Sequence, residues 1–525
     1  MMPTISHAPT WSMRLKWPSV ALLALASLYW VFNVYASGQL LWALGTLVLI
    51  GLGFYVYLSN IAFAYRYLFP GIAAMLVFVA FPMVYTAQIG FTNFSSNNLL
   101  SQGRATEYLL SQTIPVERQT MLFSLHEDGT EFRIALSPAT EARDSNTSSV
   151  SAVQFVSPSL ALRAVSPPLK TTMLAPSQAS FHLNSPLPLI EVLKHRDALM
   201  KLGLALPDGS VLSYAGVNEF APLKPLWTKN VDASLTQNEL GARYTANLQS
   251  GFYENAAGER MQPGFKVGIG FANYTRMIFD TDFRAPFISI FIWTVVFSAL
   301  TVLFTLAIGL VLAALLNWEA LKGRTVYRTL LFLPYAVPAF ISILVFKGLF
   351  NQNFGEINAI MSAAFGVKPA WFADPLLAKI MILIVNTWLG YPYFMVLCSG
   401  LIKAIPSDLY EASAITGASP WTNFSRITAP LIVKPLMPLL VSVFAFNFNN
   451  FVVIALLTDG RPDYLNTKVP AGTTDILVSY TYRIAFQDAG QNFGLAAAIS
   501  TVIFLLIAML SMANIRLTRI NQDKK

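Results

Sequence analysis

Residues 286–316 read PFISIFIWTVVFSALTVLFTLAIGLVLAALL, a run without a single charged side chain. A helix needs about 20 consecutive apolar residues to cross a bilayer, so this run is long enough to span one. The rest of the chain has the same character: 55% of its 525 residues are hydrophobic and 12% are charged, and its mean hydropathy is +0.53. These values indicate a protein that crosses a membrane several times.

Similar apolar runs elsewhere in the chain bring the predicted number of spans to eight. The predicted spans are 19–36, 39–58, 68–90, 286–316, 326–348, 376–402, 431–457 and 493–515. The first follows Arg14 and Lys16 and contains Ala24-Leu25-Ala26, which resembles a signal-peptide cleavage site. Because its apolar run continues beyond that site, we interpret it as a retained anchor.

Basic residues occupy the short loops on one side of these spans. They are Arg14, Lys16, Arg66, Lys322, Arg324, Arg328, Lys403, Arg426, Lys434, Arg516, Arg519, Lys524 and Lys525. Cytoplasmic loops carry such an excess, so both termini are predicted to be cytoplasmic. This distribution accounts for the net charge of +8 without a nucleic-acid partner.

This orientation places residues 93–275 on the outer side of the membrane, and they are too numerous for a simple loop. Two pairs of runs flank turn residues and predict β-hairpins. They are 121–125 with 131–136, and 202–206 with 211–214. We favour a β-rich docking domain over a spacer or lid.

Two shorter segments belong to the same region of the chain. The Ser/Thr/Pro-rich run 138–151 is typical of a surface loop, and the stretch 276–283 is either an amphipathic segment along the outer surface or an ordinary linker. The predicted organisation is therefore three N-terminal spans in 1–92, the insert 93–275, and a membrane core in 276–525. The predicted fold is an all-α polytopic membrane protein with eight transmembrane helices and a β-rich insert between the third and fourth.

The span interiors contain almost no ionisable side chains. Lys347 and Lys434 lie near helix ends, where long side chains reach the interface. Transporters driven by protons or sodium commonly place a carboxylate or a broken helix at mid-membrane. The lack of an ionisable group in the span interiors therefore argues against such a carrier and against a charged substrate.

Polar and aromatic side chains nevertheless recur at helical spacing in two spans. In the sixth they are Asn386, Leu389, Gly390 and Tyr393, and in the seventh Val443, Phe446, Asn447 and Asn450. Both groups lie about 15 Å from the outer helix end, near the bilayer centre. Amides that donate and accept, next to aromatic rings, suit a neutral polyhydroxylated ligand. The alternative is hydrogen bonding between helices. Gly390 and Pro392 are expected to break the sixth helix here.

The loop 403–430 connects the sixth and seventh spans on the basic side. Ser407 or Asp408 is expected to cap a first short helix, Gly417 to allow a sharp turn, and Pro420 to start a second helix that Pro430 ends. A half-polar helix pair at this position indicates either an interfacial turn or a docking element for a soluble partner.

The loop resembles the coupling motif of ABC importer permeases. The matching residues are Glu411, Ala412, Gly417, Ile427 and Pro430, with Ser413 where Ala is usual and Ala429 where Leu is usual. The resemblance implies that Glu411, Ala412, Ser413, Gly417, Ile427 and Pro430 couple the chain to a separate ATPase. No Gly-x-x-x-x-Gly-Lys-Ser/Thr run occurs, so ATP hydrolysis by this chain is not expected.

The similarity extends over nearly the whole chain to the larger permease subunit of maltose/maltodextrin importers. It includes the runs NTWLGYPY at 386–393 and FAFNFNNF at 444–451. This resemblance implies that Asn386, Leu389, Gly390, Tyr393, Phe446, Asn447 and Asn450 contact the sugar. Val443 stands where the family can carry a small hydroxyl residue.

The same resemblance implies the partners and the location of the chain. They are a smaller homologous permease, an ATPase homodimer, a periplasmic maltose-binding protein held by the insert, and maltose or maltodextrin, in the bacterial inner membrane. It implies no cofactor in this chain, since ATP and Mg²⁺ are used by the ATPase.

Two other classes of protein remain as alternatives. A secondary sugar carrier would leave the Glu411 loop without a partner and would work without ATP. A membrane enzyme would need clustered acidic residues, and Asp280 with Asp282 is the close acidic pair beside a span. His7, His126, His182 and His195 lack the spacing of a metal site.

Overall fold

The structure is a computed structural model that describes residues 11–59, 63–116, 119–138, 153–162, 169–175, 183–465, 467, 469–487 and 491–522. The chain divides into two compact units. One comprises Met1–Phe91, Ala272–Ala485 and Leu495–Lys525, and the other comprises Thr92–Phe271 and Phe486–Gly494. The limits 1–92, 93–275 and 276–525 stay predictions. The predicted surface loop after Pro138 lies outside the described residues.

Helices make up most of the first unit. Within the described residues the helices of the chain are α1 (Trp11–Ala36), α2 (Leu40–Leu58), α3 (Phe69–Gly90), α4 (Gln102–Ser111), α5 (Leu189–Lys194), α6 (Arg196–Leu199), α7 (Ala272–Phe279), α8 (Thr281–Asn317), α9 (Arg324–Ala336), α10 (Ala339–Leu349), α11 (Glu356–Phe365), α12 (Pro375–Lys403), α13 (Ser407–Ile415), α14 (Pro420–Phe448), α15 (Phe451–Leu457), α16 (Leu477–Tyr482) and α17 (Phe493–Gln522).

The described part of the chain has six helices that are long and apolar enough to cross a membrane, or seven if the bent pair α9–α10 counts as one span. The six lie in α1, α3, α8, α12, α14 and α17. The predicted span 39–58 corresponds to α2, a shorter apolar helix. Arg66 closes the end of α2, because its Nε donates to Val56 O and its Nη2 to Ser59 O, each at 3.2 Å.

The prediction that 326–348 and 431–457 are each one continuous helix is wrong. The first is bent by 92° between α9 and α10, where Val337 and Pro338 have extended backbone. Pro338 disfavours helical backbone at the residue before it, which accounts for the break. The second ends at Phe448, and α15 begins at Phe451.

Two prolines have the opposite effect from the one expected. Pro392 does not break α12, which is continuous through it, since neighbouring groups in a membrane bundle accommodate such prolines. Pro430 does not end a helix either. A π turn at Phe424–Thr428 precedes it, and the N–H of Ala429 donates to Phe424 O, five residues back, so the helix continues past the missing N–H of Pro430.

The stretch 276–283 includes the end of one helix and the start of the next. α7 ends at Phe279, and Asp280 caps the start of α8 by accepting a hydrogen bond from Asp282 N at 3.0 Å. Asp280 also pairs with Arg276 at 3.3 Å. The carboxylate is therefore occupied by helix capping, which gives no support to an acidic catalytic pair.

Glycines set the spacing between α8 and α12. A Cβ at Gly309 would lie 2.6 Å from Cβ of Phe394 and 2.8 Å from Met395 N. A Cβ at Gly390 would lie 2.8 Å from Cγ2 of Thr305. Since lipid is as apolar as the helices, close backbone packing rather than water exclusion stabilises such a contact. These two glycines therefore hold α8 and α12 together.

The second unit is rich in β-structure, as predicted. Its described strands are β1 (Thr113–Pro115), β2 (Met121–Asp128), β3 (Glu131–Pro138), β4 (Phe155–Val156), β5 (Leu169–Thr172), β6 (Leu202–Ala205), β7 (Val211–Gly216), β8 (Glu219–Ala221), β9 (Leu223–Pro225), β10 (Trp227–Lys229), β11 (Leu235–Gln237), β12 (Arg243–Asn247) and β13 (Phe252–Glu254). Among them, seven form one sheet in the order β4-β3-β2-β8-β7-β6-β5.

Both predicted hairpins are confirmed. β2 pairs with β3 and β6 with β7, each antiparallel, around turns at Gly129 and Gly209 with φ of +68° and +86°. Buried apolar side chains of the sheet, including Leu125, Leu136 and Leu204, form the core of this unit. The insert therefore folds around a hydrophobic core of its own, without disulfides, since the chain has one cysteine.

Candidate functional site

A cavity of about 840 Å³ lies among α8, α12, α14, α15 and the bend between α9 and α10. It is lined by Thr301, Thr305, Pro334, Tyr335, Ala336, Val337, Pro338, Ala339, Ile343, Asn386, Leu389, Gly390, Tyr393, Phe394, Leu439, Ser442, Val443, Phe446, Asn447, Asn450, Val452 and Val453. No Asp, Glu, Lys, Arg or His is among these described residues. The wall is therefore apolar and aromatic, with a few neutral hydrogen-bonding groups.

The structure brings together all the residues predicted to contact sugar. Asn386, Leu389, Gly390, Tyr393, Phe446, Asn447 and Asn450 all line the cavity, and so does Val443. Asn450 differs from the prediction in its position, since it lies between α14 and α15 rather than on the predicted helical face. The neighbouring Asn449 does not line the cavity, and its Nδ2 donates to Ala445 O of α14 at 3.4 Å.

Three carboxamides form a connected hydrogen-bonded series along the wall. Asn450 Nδ2 donates to Asn386 Oδ1 at 3.1 Å, and Asn386 Nδ2 donates to Asn447 Oδ1 at 2.8 Å and to Thr301 Oγ1 at 3.2 Å. Asn447 Nδ2 donates in turn to Val443 O at 2.8 Å. Asn386 and Asn447 are only 5% and 4% exposed, and buried amides need such partners. The series fixes the orientation of every amide in it.

The amides have hydrogen-bonding capacity left for a ligand. Both N–H donors of Asn386 are used, so this residue mainly positions its neighbours. Among the described residues, Asn450 uses one of its two N–H donors, and its Oδ1 accepts no hydrogen bond. Asn450 is therefore the amide best placed to bind a hydroxyl group.

Aromatic rings provide the complementary apolar surface. The side chain of Phe446 is 69% exposed and that of Tyr393 is 37% exposed, and both line the cavity. The ring of Tyr393 packs edge-on against Phe394 with centroids 5.5 Å apart, which holds it in place. Exposed rings next to amides can pack against the C–H faces of a sugar while the amides bind its hydroxyls.

Sequence reasoning missed several residues of the wall. Thr301, Thr305, Ser442 and the bend segment 334–339 were not predicted. Thr301 and Thr305 belong to a stripe on α8 with Thr294 and Ser298, in which Thr294, Ser298 and Thr305 donate to the carbonyl four residues back. Its spacing of four, three and four residues is readable in the sequence. No local signal pointed to the bend as a cavity wall.

The loop 403–430 forms a second candidate site. α13 begins at Ser407 without a side-chain cap, so the expected capping by Ser407 or Asp408 is wrong. Its other end is a tight turn: Gly417 has φ of +72°, Gly417 N donates to Ala414 O at 3.0 Å and Ala418 N to Ser413 O at 3.2 Å. This is the Schellman arrangement, which favours glycine at the left-handed position.

Side chains tie the two arms of this loop together. Tyr410 and Thr428 place their hydroxyl oxygens 2.9 Å apart, and Ser413 Oγ donates to Asn423 Oδ1. Ser419 caps the start of α14 by accepting from Thr422 N at 3.2 Å, with Pro420 in the first turn. Ser413 thus joins the arms, at one of the two positions where the loop departs from the coupling motif that it resembles.

The loop presents apolar and acidic groups to its surroundings. Ile415 is 88% exposed and Trp421 is 73% exposed, and Glu411, Ala412 and Gly417 are also exposed. Ile427 and Pro430 are half-buried and support the second arm. A braced loop with large exposed apolar side chains is typical of a docking surface.

Comparisons with known proteins give one consistent result. The family described as "Maltose transport system permease protein MalF P2 domain" matches residues 100–270. "Binding-protein-dependent transport system inner membrane component" matches 305–518, and "MalF, N-terminal region, transmembrane helices" matches 14–61.

Individual relatives agree with these families. The chain is similar to the maltose/maltodextrin transport system permease protein MalF of Yersinia pestis, with 48% identity over 97% of this chain and 95% of the relative. It is equally similar to that of Escherichia coli strain K12, with 48% identity over 99% of this chain and 100% of the relative. Among solved structures, a chain of a bacterial alginate ABC transporter matches 48% of this chain and 83% of its own length, at 23% identity and a TM-score of 0.41.

Proposed function

We propose the following function from the premise that this chain belongs to the family of MalF maltose/maltodextrin transport permeases. It is a permease subunit of an ABC importer and a multi-pass component of the inner membrane. It is not an enzyme, because ATP hydrolysis belongs to a separate subunit. A second permease, an ATPase and a substrate-binding protein complete such a system. The family favours this reading over a secondary sugar carrier.

The cargo proposed for this chain is maltose and short maltodextrins. The observation that carries this proposal is the cavity, which combines the Asn450–Asn386–Asn447 series with exposed Phe446 and Tyr393 and has no charged lining residue among those described. Its volume of about 840 Å³ lies within the usual range of roughly 300–1,000 Å³ for small-molecule sites. A neutral polyhydroxylated ligand fits this chemistry.

Each lining residue has a separate proposed role in sugar binding. Asn450 and Asn447 bind hydroxyl groups, and Asn386 holds both of them in orientation. Phe446, Tyr393 and Leu389 pack against the apolar faces of the sugar rings. Gly390 acts indirectly. Because it has no side chain, Thr305 of α8 can lie close to the backbone of α12. The second permease supplies the opposite wall.

The topology proposed for the chain has eight spans with both termini in the cytoplasm. α2 supplies the span missing from the longer helices, because 19 residues at 1.5 Å each give about 28 Å, close to the hydrocarbon thickness. The bent pair α9–α10 supplies another. The insert then lies in the periplasm, where it holds a maltose-binding protein.

Energy enters through the loop 403–430. In this proposal Glu411, Ala412, Ser413, Gly417, Ile427 and Pro430 seat the loop on an ATPase homodimer that uses ATP and Mg²⁺, and this chain holds no cofactor. Binding protein docks outside, ATP closes the ATPases, and the braced loop moves as a unit to turn the cavity outward. Hydrolysis resets the cavity inward.

The test is copurification of the full chain with the second permease and its candidate ATPase, followed by measurement of ATP hydrolysis stimulated by maltose-binding protein. We expect Glu411→Lys to abolish the stimulation. The matched control is Glu319→Lys, which reverses an exposed acidic residue outside the loop and should retain stimulation. Sugar crossing membranes that contain this chain alone, without ATPase, would overturn the proposal.

A further inference from the structure

A second pocket, of about 230 Å³, lies between α9 and α12, away from the central cavity. Its lining residues are Arg328, Met395, Val396, Ser399, Gly400 and Lys403. Tyr391 OH donates to Leu331 O at 2.9 Å and fixes the two helices to each other beside it. Apart from Lys403, no residue of the loop 403–430 is among these lining residues, and none of the proposed sugar contacts is.

The charge of the pocket is positive and uncompensated. Within the described residues, Arg328 and Lys403 make no hydrogen bond or ion pair, and the Ser399 hydroxyl makes no hydrogen bond. Two cations and a hydroxyl that converge on one space are the chemistry that binds a phosphate group. An uncharged ligand would leave both cations unpaired.

The lining of the pocket also changes from charged to apolar along α12. Lys403, Gly400 and Val396 follow one another at helical spacing, so polarity falls from a charged end to an apolar end over roughly 10 Å. Val396 is exposed and Met395 is buried beside it. A free phosphate uses only the charged end, whereas a phospholipid uses both, with its headgroup at the cations and its acyl chain along the apolar side chains.

The pocket has free space beside Gly400. A Cβ added at Gly400 would meet no heavy atom within 4 Å, so the glycine leaves space where any other residue would place a side chain. Basic recesses between membrane helices at the cytoplasmic face are known to accommodate anionic headgroups. The location at that face rests on the topology proposed above.

We propose that this pocket binds one anionic phospholipid of the cytoplasmic leaflet, with its phosphate between Arg328 and Lys403 and an acyl chain against Val396. The phosphate accepts hydrogen bonds from the guanidinium, the ammonium and Ser399. The chain follows α12 into the hydrocarbon layer. The lipid is a bound ligand and undergoes no reaction.

The experiment places a photoreactive benzoylphenylalanine at position 396 of the full chain, assembled with its partner subunits in nanodiscs. Three compositions are compared: phosphatidylglycerol, phosphatidylcholine, and phosphatidylglycerol with added inorganic phosphate. Mass spectrometry counts lipid adducts. We expect at least tenfold more adduct with phosphatidylglycerol than with phosphatidylcholine, and no competition by inorganic phosphate.

Paired variants separate the pocket from general surface charge. Arg328→Gln with Lys403→Gln is expected to reduce the phosphatidylglycerol adduct at least tenfold, to the phosphatidylcholine level. The matched control, Lys322→Gln with Arg324→Gln, removes the same charge next to the pocket and should change the yield less than twofold. Equal losses in both pairs would overturn the proposal.

A second variant keeps the cations and fills the space. Gly400→Leu is expected to lower the adduct at least fivefold, while Gly348→Leu, at another open position, leaves it unchanged. Cross-linking to a protein subunit in place of lipid, or displacement of lipid by inorganic phosphate, would contradict the proposal. Either result leaves the Glu411→Lys outcome intact, so the two proposals fail separately.

Discussion

Asn386 on α12 donates a hydrogen bond across 2.8 Å to Asn447 on α14, so two buried carboxamides join the helices that frame the cavity. The same Asn386 accepts from Asn450. One side chain thus organises two amides that lie 61 and 64 residues further along the chain. Its removal affects the helix contact and the binding groups together.

We expect Asn386→Leu to lower both stability and transport. The substitution leaves the buried Asn447 Oδ1 without its donor, and such an unpaired buried polar group costs about 1–3 kcal/mol. It also removes the acceptor of the half-buried Asn450 Nδ2. Thermal unfolding of the detergent-solubilised chain should shift downward, and maltose uptake should fall at least tenfold. Asn449→Leu is the control, because that exposed amide, within the part of the chain that the structure describes, bonds Ala445 O of α14 alone. Equal behaviour of the two variants contradicts the assigned role.

Phe446→Ala is expected to reduce transport without much loss of stability. The ring is largely exposed in the cavity, and exposed substitutions usually change the unfolding free energy by no more than about 0.5 kcal/mol. Uptake of maltose should drop severalfold, with Phe446→Trp retaining most of it because a larger ring still packs on sugar. If the alanine variant transports normally, Phe446 is not a sugar contact.

Gly309→Ala is expected to destabilise the helix pair α8–α12. The added methyl would overlap the backbone of α12 at Met395, and overpacking typically costs about 1–3 kcal/mol. The unfolding temperature of the solubilised chain is the measurement. Gly348→Ala serves as control, since its Cβ would meet nothing within 4 Å and alanine favours helix. If Gly348→Ala lowers the unfolding temperature as much as Gly309→Ala does, close packing between α8 and α12 does not explain the loss.

Substitutions at Gly417 should distinguish the effect of its backbone conformation from the effect of side-chain size. Nothing lies within 4 Å of a Cβ there, so the cost of Gly417→Ala is the left-handed φ of +72°, about 1–2 kcal/mol. We expect binding-protein-stimulated ATP hydrolysis to fall in Gly417→Ala and to be better preserved in Gly417→Asn, since asparagine tolerates this conformation. Higher stimulated ATP hydrolysis in Gly417→Ala than in Gly417→Asn would show that the loop does not require the left-handed turn.

The insert is expected to lose stability in acid through Asp128. Hydrogen bonds from Ser159 and Arg133 hold the pKa of Asp128 below its ordinary value. A folded pKa below the unfolded one means that the stabilisation is present above about pH 4 and is lost as pH falls through the folded pKa. Asp128→Asn should therefore weaken hydrogen-exchange protection of β2 and β3 at pH 7, and its effect should become smaller as pH falls below about 4. Glu107→Gln, an exposed acidic residue on α4, is the control.

The membrane core was largely predictable because its signals are local. Apolar length indicated the six long apolar helices, and helical spacing selected Asn386, Leu389, Gly390 and Tyr393 as one face. Both are consequences of helix geometry alone. The hairpin turns at Gly129 and Gly209 were also readable, since few residues other than glycine adopt their backbone angles easily.

What failed depended on contacts between segments. The sequence does not reveal that Pro338 bends its helix while Pro392 and Pro430 do not, because neighbouring helices and a π turn decide the outcome. Asn450 reached the cavity although its helix had ended at Phe448, since its position is set by Asn386. The roles of Gly309 and Gly390 in spacing α8 and α12 likewise appear only when both helices are present.

The bend between α9 and α10 has a consequence for what occupies the cavity between transport cycles. Its extended backbone at Val337 and Pro338 lies in the wall, and non-helical backbone at membrane depth requires either protein or water around it. We therefore expect water to fill the cavity when no cargo is present. Under the proposed function, each arriving sugar exchanges water hydrogen bonds for protein ones, and such an exchange gains only about 0.5–1.5 kcal/mol per bond. Weak retention follows from the wall itself, and it allows the same residues to receive the sugar from one side and release it to the other.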